Sequence, residues 1–101
     1  MAVYFLMIEA VPKPDNPEGM DIGGAYVNCW MKAVSLKAAE KKAREYIDAE
    51  NWAYMKTEEA FIPDRRSYID EPDSLSSYDA AYKNGISAIF YTWPLHENPV
   101  N

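Results

Sequence analysis

Residues 2–11, AVYFLMIEAV, are apolar almost without a break and rich in aromatic and β-branched side chains, and the run ends at Pro12. Successive side chains of a strand point to opposite faces, so a run that is apolar at both parities predicts a central strand buried on both sides. No other stretch of the chain restricts the fold as strongly, because whatever follows must supply neighbours for this strand.

The rest of the chain reads as alternating elements and loops. Residues 12–24, PKPDNPEGMDIGG, carry prolines, glycines and acids that break ladders and read as a long loop. Residues 25–34, AYVNCWMKAV, alternate: Ala25, Val27, Cys29 and Met31 form the expected core face, and Tyr26, Asn28, Trp30 and Lys32 the other. Ser35 is a good N-cap for a helix to about residue 50, with Leu36, Ala39, Ala43, Tyr46 and Ile47 as its buried stripe. On its solvated side Glu40/Arg44, Lys41/Glu45 and Arg44/Asp48 are spaced to pair across one turn.

Residues 52–62 predict a third strand with a polar middle, and residues 63–72 a second loop. Leu75, Tyr78, Ala81 and Tyr82 mark a shorter helix closed at Asn84-Gly85, followed by a last strand over residues 86–93, ISAIFYTW. The order β-β-α-β-α-β, with a crossover that leaves room for the first strand between the second and third, predicts an α+β fold. The expected form is a two-layer sandwich of the broad ferredoxin-like class: a four-stranded mixed sheet with both helices on one face. The 101 residues make one domain, long enough to hide roughly two-thirds of the surface that the unfolded chain exposes.

Sixteen acids against ten Lys and Arg give a net charge of −6. Phosphate backbones are bound through clustered cations, and the adjacent Arg65-Arg66 is surrounded by Asp64, Asp70, Glu71 and Asp73, so nucleic acid is not an expected partner. The single Cys29 cannot form an internal disulfide and suits a reducing compartment. The opening residues lack a basic leader region, and their apolar run falls far short of the roughly 20 residues that cross a bilayer. The expected location is the cytoplasm, with no membrane association.

Motifs for chemistry are sparse. Gly23-Gly24 leads into a strand and no Lys-Ser/Thr follows, so there is no phosphate loop. One Cys and one His, Cys29 and His96, cannot make a thiolate-imidazole zinc site, and no cofactor or metal is expected. A Cys29–His96 dyad would need the C-terminal tail to fold back over the sheet. Asp15, Glu18 and Asp21 could converge on a hard cation, although the spacing matches no EF-hand loop and a solvated acidic loop accounts for them. Glu58 and Glu59, adjacent on a strand, point to opposite faces and cannot share a proton.

The aromatic side chains are the feature that plain folding does not absorb. Tyr26, Asn28 and Trp30 share the non-core face of their strand, and Tyr91 and Trp93 join them if the last strand turns that way. Such an area is expected to be covered by a partner or second copy, covered internally by the 12–24 loop or the tail, or used to stack a small ligand. These five residues form the candidate binding face, and no catalytic residue is assigned.

Val27-Asn28-Cys29-Trp30, the alanine-rich charged helix, Asn51-Trp52 entering a strand and the closing Thr92-Trp93-Pro94 together resemble small uncharacterised bacterial proteins (a domain of unknown function) similar in length to this chain. The resemblance implies a bacterial cytoplasmic protein and assigns no functional residue. Three functions fit the sequence. The first is an acidic protein-interaction module, with inhibitor or immunity proteins among the candidates. The others are a small-ligand-binding domain or small enzyme of the dimeric ferredoxin-like kind, and a structural homodimer. Missing catalytic motifs weigh against an enzyme.

Overall fold

The computed structural model describes residues 1–95. Strand β1 (Ala2–Pro12) is followed by a short 3-10 turn at Pro17–Gly19, strand β2 (Ile22–Ala33) and helix α1 (Leu36–Ala49). Strand β3 (Trp52–Phe61), a 3-10 turn at Arg65–Tyr68, helix α2 (Pro72–Asn84) and strand β4 (Ile86–Pro94) complete it. The sheet order is β3-β1-β2-β4, so the apolar first strand is central, between β2 and β3 as its sequence requires.

All three pairings are antiparallel, which corrects the expected mixed sheet. The crossover through α1 does leave β2 and β3 running the same way, but β1 lies between them and opposes both. Parallel neighbours never meet.

A second correction concerns the layers. Leu6, Ile8 and Ala10 of β1 pack with Val27, Cys29 and Met31 of β2 against Ala39, Ala43 and Ile47 of α1. The opposite parity of β1, Val3 and Phe5 with Met7 beside them, packs with Trp30 against Ala81 of α2, Tyr78 and Tyr68. The helices therefore lie on opposite faces, one on each side of the sheet, and the two-layer ferredoxin-like arrangement is not what forms. A central strand apolar at both parities demands a layer on each side, and two helices on one face would have left Val3, Phe5 and Trp30 in water.

Local chemistry places the helix ends. The Ser35 Oγ accepts from the Ala38 N–H and caps α1, and Gly85, at φ 97°, stops α2 in a conformation that favours glycine. The charged pairs expected along α1 do not close among the described residues, and Glu40, Arg44 and Asp48 find partners on other elements instead. Thr57 Oγ1 donates to Glu40 at 2.8 Å, the Arg44 guanidinium stacks 4.1 Å from the Tyr54 ring, and Asp48 pairs with Lys13. Thr57, in the polar middle of β3, thus faces α1 with a partner.

Trp30 belongs to the core on the α2 side. It is 1% exposed, meets the Phe5 ring edge-on at 5.3 Å, and its Nε1–H donates to the Tyr68 hydroxyl at 3.2 Å. Trp30→Ala should destabilise the fold by about 3–5 kcal/mol through the cavity it leaves. Tyr68→Phe, which removes only the acceptor, should cost about 1–3 kcal/mol, and urea denaturation of the two variants measures both.

Candidate functional site

Helix α2 and the turn before it cover one half of their face of the sheet. They lie over Val3, Phe5, Met7, Trp30 and Ile89, which sit toward one end of the strands. The register places Glu9, Val11, Tyr26, Tyr91 and Trp93 toward the other end, on the same face: Glu9 opposes Tyr26, Tyr26 opposes Tyr91, and Gly24 opposes Trp93. This uncovered half-face is the candidate site.

Its aromatic side chains are partly in solvent. Tyr26 is 41% and Tyr91 49% exposed, and the Tyr26 and Trp93 rings lie 5.1 Å apart, tilted against one another. Asn28 is half-buried beside them, opposite Ile89. The five residues singled out from the sequence therefore do share one face. Trp30 parts company with the rest because α2 buries it, and the open surface retains Tyr26, Asn28, Tyr91 and Trp93. Glu9, Val11 and Glu59 were not singled out; strand parity alone would have placed Glu9 and Val11 there.

Glycines determine how Trp93 lies. A Cβ on Gly23 would sit 2.9 Å from the Pro94 carbonyl oxygen and 3.0 Å from Trp93 Cδ1, and one on Gly24 would collide with the Trp93 ring. The indole thus rests on bare backbone at the start of β2. A groove of about 290 Å³ adjoins it, lined by Val11, Pro12, Asn16, Gly23 and Leu95 among others.

The 12–24 segment meets Trp93 at Gly23 and Gly24 but leaves Tyr26 and Tyr91 41% and 49% exposed. It is anchored elsewhere: Asn16 Nδ2 donates to the Asn51 carbonyl at 2.9 Å, the Lys13 amide donates to the same carbonyl, and the Lys13 side chain pairs with Asp48. Asn16 Oδ1 also accepts from the Glu18 amide, which makes this buried residue the pin of the loop. Asp15, Glu18 and Asp21 are exposed, and the described residues contain no group of acids, His or Cys placed to hold a metal. His96 and the tail lie outside the described residues, as does any cover that tail gives.

The remaining candidates for chemistry resolve simply. Cys29 is fully buried, its Sγ–H directed at the Val27 carbonyl, and burial pushes its thiol up to about 12. A thiol so placed is neutral at neutral pH and is no nucleophile. Arg65 forms a bidentate pair with Asp79, with both contacts at 2.8 Å, and Arg66 pairs with Asp64, so neither arginine offers an unpaired charge. These pairs hold both carboxyls below their usual range. No described helix is long and apolar enough to cross a membrane. The chain matches no protein-family model, no curated protein and no solved structure with which it was compared.

Two outcomes test this geometry. Gly24→Ala should expel the Trp93 indole while Trp30 and Trp52 stay buried, so the fluorescence of the folded protein should shift to the red. Because the folded thiol ionises near 12 and the unfolded one near 9.0, stability should fall as pH rises between those values, by about 1.4 kcal/mol per unit. Cys29→Ala should reduce that dependence in denaturant titrations, leaving the part due to Tyr46 and Tyr68, which burial also pushes up.

Proposed function

We propose that the protein is an acidic interaction module that docks a protein partner on the half-face left open by α2. The observation that carries this reading is the exposure of Tyr26 and Tyr91 beside Trp93 on a rigid sheet. Rigid aromatic side chains bury much area at little cost in conformational freedom, which is why they anchor interfaces. The same face carries Glu9 and the exposed Glu59 against the exposed Lys56 opposite Glu9, and the net charge of the chain is −6, so the favoured partner presents a basic, partly apolar patch. An inhibitor that masks a basic protein has these properties. The buried, protonated Cys29 suits work in a reducing compartment such as the cytoplasm.

A small ligand held at the edge of this half-face is the second reading, favoured by the groove of about 290 Å³ lined by Val11, Pro12, Asn16, Gly23 and Leu95. That volume is at the small end for a ligand site.

The experiment compares wild type with Tyr26→Ser/Tyr91→Ser. Both side chains are a little less than half exposed, so the double variant should lose some stability but stay folded, which circular dichroism and urea denaturation check before binding is compared. It should weaken partner retention on an immobilised column by about 30-fold or more, equivalent to losing an anchor worth about 2 kcal/mol. Unchanged retention would remove the aromatic half-face from the account.

A further inference from the structure

The two edges of the sheet differ in a way that folding alone does not require. Edge strand β3 is disrupted by two register shifts against β1 and carries Lys56, Glu58 and Glu59, devices that discourage another strand from pairing. Edge strand β4 has such a device only at its end, a register shift where Pro94 meets Ile22. Its residues ISAIFYTWP contain no charge, and its register with β2 is regular from Ile86 to Trp93.

The ladder reveals which backbone groups of β4 are unused. Lys32 and Gly85 stand opposite one another, extending the Met31–Ile86 register, and the Lys32 amide donates to the Gly85 carbonyl at 2.9 Å. Hydrogen-bonded and non-bonded pairs alternate in an antiparallel ladder, so Ser87, Ile89 and Tyr91 turn their amides and carbonyls toward β2. Ile86, Ala88, Phe90 and Thr92 turn theirs outward, and no hydrogen bond reaches those backbone groups among the described residues. Side chains tell the same story. Ile86, Ala88 and Phe90 point to the α1 side of the sheet but are only half-buried, because α1 lies over β3, β1 and β2.

We infer that the β4 edge is a self-association site, where a second copy of this chain pairs its own β4 antiparallel and continues the sheet. The occupant follows from charge. Two chains of net charge −6 repel wherever their acids meet, and β4 is an uncharged strip along which they can approach. An antiparallel pair of identical strands closes on a two-fold axis, so the contact is complementary to itself and stops at two copies. It would satisfy the outward amides of both chains and cover the free flank of Ile86, Ala88 and Phe90.

Sedimentation equilibrium over a dilution series, with amide hydrogen exchange at each concentration, tests this. The expected result is a monomer–dimer equilibrium in which the amides of Ile86, Ala88 and Phe90 become protected as the dimer forms. Thr92→Pro removes an outward amide at an exposed edge position, where proline is tolerated. It should weaken the dimer by about tenfold or more, while Thr92→Val retains it. A monomer at every concentration overturns the inference, and so does a dimer indifferent to Thr92→Pro. Protection of these amides that does not vary with concentration overturns it as well, and the exchange data on wild type decide even if the proline variant fails to fold. Tyr26→Ser, on β2, leaves β4 unchanged and should leave the dimer intact, which separates this edge from the aromatic half-face.

Discussion

The burial of β1 on both sides is the constraint from which the architecture follows. Its two parities, Leu6/Ile8/Ala10 and Val3/Phe5, need separate apolar layers, and the chain has two helices with which to build them. α1 is well suited to the larger layer, since Ala39 and Ala43 let the helix approach closely while Ile47 fills its far end. α2 supplies the smaller layer with Tyr78 and Ala81, and the turn before it adds Tyr68. The shorter reach of that second layer leaves half a face open, so the candidate site results from how the core was completed.

Much of this was legible in the chain itself. The position of β1, the Ser35 cap, the stripe of α1, the core parity of β2 and the Asn84-Gly85 stop all follow from local patterns that tertiary structure did not override. The placement of α2 was not legible from its own residues. Its apolar positions are few, and nothing in Leu75, Tyr78 or Ala81 says which side of a sheet they meet. The double-sided burial of β1 did contain that information, since one strand cannot be buried twice by a single layer. Trp30 was misplaced for the same reason: alternation correctly put it opposite Cys29, but the far side of the sheet holds a core too.

Polar side chains show a related limit. Spacing along α1 suggested pairs between Glu40, Arg44 and Asp48, yet these residues turn to Thr57, Tyr54 and Lys13 on other elements. Pairs within an exposed helix are worth only a few tenths of a kcal/mol, so modest tertiary contacts outcompete them. Asn16 is the reverse case. Within a loop of prolines and acids it looked unremarkable, but its side chain ties the β1–β2 connection to the α1–β3 turn at Asn51, itself held at φ 70°.

The central place of β1 also bears on synthesis. Its partner β2 follows closely, but its other edge waits for β3, which appears only after the whole of α1 has been made. At about 5–20 residues per second, that edge stays open for roughly 3–10 s on the ribosome, with the most apolar segment of the chain unprotected. Nascent-chain binding factors would meet this protein as a two-stranded ribbon with one bare, sticky side. Codon choice between Pro12 and Trp52 thus governs how long that hazard lasts.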